Sequence, residues 1–484
     1  ILIVGVSVLV FFIGTITAWM VTNYDFYGKS FYEWALILPL AIPPYILAYA
    51  FTGLFDPFGD ANNLIRSIFN LSPEISFFPN VRNIYGAIVV FSFTLYPYVY
   101  LVSRSAFLNQ SKSMKESARL LGLSEIGVFF KLALPIIRPA AIGGLMLVIM
   151  ETISDFGAVD HFAIQTFTTG IFRTWHGMYD LQTAMQLASI LLIIVGIFYI
   201  LERNSRDRAA FTFNDSSFTS EKAIRLPKMK SLLFSFICFI PLFIGFILPI
   251  TELVLWAFES RSSFFNQKFL QTSFNSISLA IVAGLISAFL AVIINFSIRF
   301  KPNPFIKRLS SLLSIGYAVP GLILAVGIAQ LLIYLDHNIF NSLDLVLTGS
   351  LFGLLLAYII KTYALANSSI ESGYERITSS MDDSSKLLGS SGWRMLIRVH
   401  TPLLKTGFLT AILLVISEVV KELPATLILR PFNFETLAVS TYIFASEERM
   451  YQAASPAIAI VLIGLIPIFF LSKMIISSNK YKDG

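Results

Sequence analysis

Charged residues, cysteine and histidine are scarce in this sequence. Asp, Glu, Lys and Arg make up 13% of the 484 residues, whereas hydrophobic residues make up 56%. A soluble domain would need more polar surface than so few charges provide. The single cysteine, Cys238, excludes an internal disulfide. The four histidines lack metal-ligand spacing, and we expect His161, beside Asp160, to be an ordinary surface residue.

Long apolar runs dominate the chain, and several reach the length that crosses a bilayer as a helix. Ile1 already lies inside such a run, so we expect the chain to be truncated at its start. We interpret Pro43, Pro44 and Pro320 as kinks in the helices that contain them. The runs predict an all-α integral membrane protein with about eleven spanning helices, near 1–22, 32–55, 84–107, 139–158, 181–201, 231–257, 272–297, 312–335, 346–368, 405–427 and 452–476.

One polar stretch occurs twice in this apolar chain. An acid, a Gly and a Pro recur in the same order, and 383 − 116, 389 − 122 and 402 − 135 all give 267. Each copy predicts two short helices around its Gly, with the Pro where the next spanning helix begins. Such a loop could dock a soluble partner or could be an interfacial anchor helix. The residues that form the two copies are Glu116, Ser117, Ala118, Gly122, Pro135, and Asp383, Ser384, Ser385, Gly389, Pro402.

The repeat extends beyond these two polar loops. Residues 41–48 resemble residues 318–325 at an offset of 277, and further acids recur at 267. We therefore predict two tandem repeats, of which the first lacks its first helix. The predicted units are a first repeat at 1–201, a basic linker at 202–230 and a second repeat at 231–484.

Basic residues cluster on one predicted side of the membrane. The linker, the loop 298–311 and the C-terminus carry them, whereas the opposite loops are mixed or acidic, as at Asp336 and Asp344. Both polar loops and the C-terminus are therefore predicted to be cytoplasmic. The basic residues are Arg203, Arg206, Arg208, Lys222, Arg225, Lys228, Lys230, Arg299, Lys301, Lys307, Arg308, Lys473, Lys480 and Lys482.

The polar loops resemble a motif of binding-protein-dependent ABC importer permeases. That motif is Glu-Ala-Ala, three residues, Gly, nine residues and Ile-x-Leu-Pro, and this chain has its spacing twice. The second copy departs from it, because Asp383 replaces Glu and two serines replace the alanines. The resemblance implies the fold of a type I-like ABC importer in a bacterial inner membrane. It also implies two copies of an ATP-binding subunit on the loops and a periplasmic substrate-binding protein.

A finer resemblance points to the substrate. Fused two-half permeases are typical of ferric iron importers, and the stretches 151–157, 165–171 and 421–438 are similar to that group. Thiamine importers share the fused layout, so a thiamine or other small-solute permease is the alternative. We expect no cofactor, no nucleic-acid partner and no enzymatic activity in this chain. Gly28-Lys29-Ser30 imitates the end of a phosphate-binding loop, but Asn23 replaces the required Gly.

Two pairs of acids that recur between the repeats lie in predicted spanning segments, which is costly unless they face a cavity or a partner. Glu151 and Asp155 are four residues apart, as are Glu418 and Glu422. They could form a ring of acids at an outer gate that contacts ferric iron transiently. Alternatively, Glu418 and Lys421 could form a salt bridge. We predict alternating access between the two halves; an ion-coupled secondary transporter is the alternative of another class.

Overall fold

The computed structural model describes residues 1–70, 72, 75–110, 112–213, 224–260, 266–300, 303–340 and 346–480. Part of the predicted basic linker, 214–223, lies outside the described residues, as do Lys222, Lys301, Asp344 and Lys482. Within the described part the regular secondary structure is helical apart from two short parallel strands, β1 and β2, in which Tyr24 pairs with Ile224 and Asp25 with Arg225. The all-α prediction is therefore confirmed. The strands are Tyr24–Asp25 and Ile224–Arg225.

The described residues before the linker form eleven α-helices. The long helices are joined by short ones that turn the chain within or beside the apolar bundle. The helices are α1 Leu2–Asn23, α2 Lys29–Ala35, α3 Pro44–Phe55, α4 Asp60–Phe69, α5 Ile84–Leu108, α6 Lys112–Leu120, α7 Glu125–Val128, α8 Leu134–Ser154, α9 Gly157–His161, α10 Phe167–Phe172 and α11 Leu181–Phe213.

The remaining helices follow the linker. A π-helical turn at Phe243–Ile247 joins the first two of them into one span. The helices are α12 Lys228–Leu242, α13 Leu248–Glu259, α14 Gln267–Phe300, α15 Pro304–Ile315, α16 Gly321–Leu335, α17 Leu351–Glu375, α18 Ser379–Leu387, α19 Trp393–Met395, α20 Thr401–Leu403, α21 Lys405–Val420, α22 Pro424–Leu429, α23 Leu437–Ser446 and α24 Met450–Lys480.

The number of spanning segments agrees with the prediction. Within the described residues, 9 helices are long and apolar enough to cross a membrane, and two bent pairs raise the number to 11. One bent pair, Lys29–Ala41 with Pro44–Phe69, turns through 91°. The other, Trp393–Leu403 with Lys405–Val420, turns through 74°.

Three predicted spans were wrong in detail, since they are interrupted near prolines. The span at 32–55 breaks at Pro43, whose extended backbone starts α3, and Pro44 lacks the N–H that would continue a helix. The span at 312–335 breaks between Ile315 and Gly321, beside Pro320. The span at 405–427 ends at Val420, and a separate short helix begins at Pro424.

The helices repeat in their bounds and in their packing. Both ends of α5 and α17 differ by 267 residues (351 − 84 and 375 − 108). Helix α1 packs against α5 as α14 packs against α17, and α8 packs against α5 as α21 packs against α17. The span α12–α13 has no counterpart among the described helices that precede it. Two tandem structural repeats therefore account for the fold.

The two repeats interlock through their last helices. Helix α11 of the first repeat packs against α16 of the second, and α24 packs against the turn Leu38–Ala41 of the first. A Cβ added at Gly464 of α24 would lie 3.0 Å from the carbonyl oxygen of Ala41, so the two backbones approach closely. This exchange places the breaks at Pro43 and Pro320 inside the bundle.

Candidate functional site: a charged cavity and two polar loops

The first polar loop turns at Gly122. Helix α6 ends there because Gly122 has φ +84°, in the left-handed region that favours glycine. The N–H of Gly122 donates to the carbonyl oxygen of Arg119 at 2.9 Å, and the N–H of Leu123 donates to that of Ala118 at 3.2 Å. This is a Schellman-type ending. The chain then enters α7 and continues into α8, with Pro135 in the first turn of α8.

The second polar loop has the same geometry. Helix α18 ends at Gly389, which has φ +76°. The N–H of Gly389 donates to the carbonyl oxygen of Lys386 at 2.9 Å, and the N–H of Ser390 donates to that of Ser385 at 2.9 Å. Pro402 follows in the first turn of α20. The predicted pair of short helices around a Gly is confirmed in both copies.

Each loop presents one exposed face and one buried position. Glu116, Ser117, Asp383 and Ser384 are exposed, whereas Ala118 and Ser385 are buried against the protein. Sequence reasoning missed a pair of leucines directly before each Gly. Their exposed fractions are 89% and 85% in the first loop and 89% and 86% in the second, for Leu120, Leu121, Leu387 and Leu388. The identical triplets Leu-Leu-Gly would have revealed them.

The residue before each exposed acid anchors its loop. Lys115 is buried and donates to Oδ1 of Asn23 at 2.7 Å, with its ammonium 5.4 Å from the centre of the Trp19 ring. Asp382 occupies the equivalent position in the second loop, since 382 − 115 is 267. It has the opposite charge but also anchors its loop. It accepts from Nε of Arg299 at 2.6 Å and contacts Nε2 of His400 at 2.9 Å.

Electrostatics favour the ionised form of this aspartate. Burial acts to raise the pKa of the Asp382 carboxyl, but the hydrogen bonds from His400 and Arg299 outweigh it. The pKa therefore lies below its usual range. Asp382 is thus a charged anchor between α18, α14 and the turn that precedes α20.

All four predicted acids line one cavity of about 100 Å³. Sequence reasoning placed Lys421 beside Glu418 but missed a second lysine. Lys361 of α17 reaches the cavity beside Lys421, and a lone lysine in an apolar span was the signal for it. Formally, four carboxylates face two ammonium groups. The charged lining residues are Glu151, Asp155, Glu418, Glu422, Lys361 and Lys421.

Two ion pairs lie in the lining of this cavity. Nζ of Lys421 lies 2.8 Å from Oε2 of Glu418, so the predicted salt bridge is present. Lys361 forms a second ion pair with Glu422 and thereby connects α17 to the segment after α21. The ring of acids and the salt bridge are therefore features of the same site.

Asp155 and Glu422 occupy equivalent positions at the start of short helices. Oδ1 of Asp155 accepts from the N–H groups of Ala158 and Val159 at 2.9 and 3.3 Å. Oε1 of Glu422 accepts from the N–H of Ala425 at 3.2 Å. Both carboxylates therefore bind the positive end of a helix that follows a break in a spanning segment.

The histidines do not form a metal centre. Within the described residues, no group of three or more His, Cys, Asp or Glu side chains could hold a metal ion. The prediction that His161 lies on the surface was wrong. It is partly buried, its Nε2 is 2.9 Å from Oγ1 of Thr52, and its ring centre is 4.7 Å from that of Tyr49.

Comparisons with known proteins agree with this architecture. Over 95% of this chain and 86% of the relative, it is 25% identical to an Fe(3+)-transport system permease protein of Haemophilus influenzae. It is 23% identical to a probable ABC transporter permease protein of Sinorhizobium fredii over 93% of this chain and 81% of that protein. A molybdenum transport system permease protein of Haemophilus influenzae is 28% identical over 29% of this chain and 58% of its own length.

A family model matches most of the first repeat. Residues 11–201 match the family described as binding-protein-dependent transport system inner membrane component. That stretch contains the first polar loop and the acids Glu151 and Asp155. The described helices after residue 228 repeat the same arrangement. The chain is therefore similar along most of its length to transport-system permease proteins, and its residues 11–201 match the binding-protein-dependent transport system inner membrane component family.

Proposed function

We propose that this chain is the permease subunit of an ATP-driven importer that moves ferric iron by alternating access. The main support for the proposal is the pair of exposed polar loops with matching geometry. Each loop leads into a helix that contains an acid of the cavity, Glu151 in α8 and Glu418 in α21. The likeness to a permease named for Fe(3+) transport extends over 95% of the chain. ATP hydrolysis belongs to separate subunits, and this chain supplies the pathway.

The loops support docking of two ATP-binding subunits, one on each copy. Glu116 and Asp383 are exposed beside the exposed leucine pairs, so each loop offers an apolar patch next to an acidic group. Exposed apolar side chains flanked by polar ones are typical of protein interaction surfaces. An interfacial anchor would instead direct these leucines toward lipid. Equal geometry in both loops favours two copies of one soluble partner.

The placement of basic residues supports a cytoplasmic position for both loops. The hydroxyl of Tyr24 donates to Oε2 of Glu125 at 2.9 Å, while β1 pairs with the end of the basic linker. Arg299 binds Asp382 in the second loop. Both loops therefore lie beside predicted basic segments, and basic residues favour the cytoplasmic side. The binding protein would then deliver its substrate to loops around 159–180 and 428–451.

The cavity supports a cationic substrate. Its lining contains four carboxyl groups and two lysine amines. Ferric iron is a hard cation and prefers oxygen ligands such as carboxylates. An oxyanion would meet net repulsion from the same lining. Contact with the pathway is expected to be weak, because tight binding would stop transport.

Radioactive iron uptake tests this function. Cells that carry the chain with its partner subunits should accumulate ⁵⁵Fe supplied as ferric citrate, and deletion of the chain should abolish that uptake. Depletion of ATP with the ion gradients maintained should also stop it. Uptake that survives ATP depletion and fails when the gradients collapse would establish the secondary transporter instead. Uptake of thiamine without iron would replace the proposed substrate.

A further inference from the structure

The two repeats contribute unequal chemistry to the shared cavity. Lys361 occupies the position that corresponds to Thr94, since 361 − 94 is 267. Lys421 likewise corresponds to Ser154, since 421 − 154 is 267. Both lysines line the cavity, and so do Thr94 and Ser154. The second repeat has thus acquired two positive charges that the first repeat lacks.

These lysines neutralise the acids of their own repeat. Glu418 is paired with Lys421, and Glu422 is paired with Lys361. Neither Glu151 nor Asp155 forms an ion pair within the described residues; Glu151 accepts from the hydroxyl of Tyr317 at 3.4 Å. The excess negative charge of the cavity therefore belongs to the first repeat.

A tyrosine is the third oxygen-bearing side chain that the first repeat contributes to the cavity. Tyr45 lines the cavity, is 4% exposed, and its hydroxyl has no hydrogen-bond partner in the part of the chain that the structure describes. Its counterpart at the offset of 277 is Leu322, which has no polar group. A buried hydroxyl without a partner is unusual in proteins and requires an explanation. A ligand that takes oxygen donors provides one.

We propose that Tyr45, Glu151 and Asp155 of the first repeat alone make the oxygen contacts with a hard cation that crosses the cavity. Glu418 and Glu422 instead hold the second repeat together through their lysines. Phenol and carboxylate oxygens are the donors that a hard trivalent cation prefers. This inference rests on the proposed function, because that function supplies the passage of a cation through the cavity. The difference between the two repeats is tested separately.

The first test measures cation binding without transport. The full-length chain in lipid nanodiscs is titrated with Tb³⁺, a hard trivalent cation whose luminescence is sensitised by nearby aromatic side chains. The single variant Tyr45→Phe should weaken Tb³⁺ binding at least tenfold. The double variant Glu151→Gln with Asp155→Asn should also weaken it at least tenfold. Tyr49→Phe is the matched control, because its hydroxyl is also buried without a partner but does not line the cavity. It should change binding less than twofold.

The second test compares the two repeats in ⁵⁵Fe uptake. The first-repeat pair Glu151→Gln with Asp155→Asn should lower uptake at least tenfold with unchanged thermal stability. The charge-balanced pair Glu418→Gln with Lys421→Gln should lower it less than threefold. Equal losses of uptake from both pairs would overturn the inference. Equal effects of Tyr45→Phe and Tyr49→Phe would overturn the role of Tyr45.

The two tests also separate this inference from the proposed function. Selective loss of Tb³⁺ binding in the first-repeat variants, with no iron uptake by the wild-type chain, would reject ferric transport and support the asymmetry. Iron uptake by the wild type with equal sensitivity of both repeats would support the function and reject the asymmetry.

Discussion

Nε2 of His400 lies 2.9 Å from Oδ1 of Asp382. This contact joins α18 of the second polar loop to the π-helical turn Leu396–His400, which leads through α20 into α21. Helix α21 carries Glu418 of the cavity. A displacement of the loop by a docked partner would therefore act directly on the helix that lines the pathway.

Removal of the Asp382 charge should loosen the second loop. Asp382→Asn loses two charge-assisted hydrogen bonds, and we expect a loss of about 1–3 kcal/mol in the free energy of unfolding. Thermal unfolding in detergent measures it. Asp383→Asn is the matched control, because its side chain is exposed and pairs only with the exposed Lys386 among the described residues. Equal destabilisation by both variants would contradict the anchor role.

The same contact predicts a pH dependence. The folded pKa of Asp382 lies below its usual value, so its stabilising contribution is fully present above about pH 4 and is lost as the pH falls through the folded pKa. The difference in stability between the wild type and Asp382→Asn should therefore shrink below about pH 4. Unfolding measured from pH 7 downward checks this. A difference that grows on acidification would have the wrong sign.

Charge reversal on the exposed acids should weaken docking without unfolding the bundle. Glu116→Arg with Asp383→Arg places two positive charges on the proposed contact surfaces. We expect co-purification of the ATP-binding subunit to fall at least tenfold. The matched control is Glu447→Arg with Glu448→Arg, two exposed acids in the loop before α24. Unchanged co-purification from the first pair, with normal expression, would count against the docking role.

The exposed leucines should contribute apolar area to that contact. Replacement of Leu120, Leu121, Leu387 and Leu388 by Ser removes apolar groups that are already exposed, so the stability of the isolated chain should change by less than about 0.5 kcal/mol. Stimulation of ATP hydrolysis by the chain should nevertheless be lost. The control is Leu64→Ser with Ile68→Ser on α4, which removes apolar groups that are also exposed, by 61% and 63%. If this control were as damaging, the leucines would have no special role.

Lys361 should be essential for stability only while Glu422 is charged. Lys361→Met leaves a buried carboxylate without its partner, which costs about 3–5 kcal/mol. The double variant Lys361→Met with Glu422→Gln should recover most of that loss, as measured by thermal unfolding in detergent. Failure of the second change to restore stability would show that Lys361 acts through other contacts.

Cysteine labelling should place both polar loops on one membrane face. Cys238 is buried, so it provides a quiet background. Glu116→Cys and Asp383→Cys should react with a membrane-impermeant maleimide only after the cytoplasmic face is exposed, and Glu448→Cys should react from outside. Labelling of positions 116 and 383 from opposite faces would reject the topology and the proposed function with it.

The length of the apolar runs and the internal repetition of the sequence predicted much of this fold. Apolar length predicted the spans, because a bilayer imposes a fixed thickness on every helix. A constant offset predicted both polar loops and the convergence of four acids. The breaks near Pro43, Pro320 and Pro424 were harder to place, since a proline allows either a kink or a full interruption of a helix. Lys361 was missed because its partner, Glu422, lies 61 residues away, and sequence spacing cannot show such a contact.

The exchange of last helices has a consequence for biosynthesis. The turn Leu38–Ala41 is covered by α24, which the ribosome makes after all the other described helices. Until then the broken span at 32–55 has no permanent neighbour on that side and must be shielded by lipid, by an insertase or by earlier helices. Mutations in α24 should therefore cause turnover of the nascent chain well before any failure of transport could be detected.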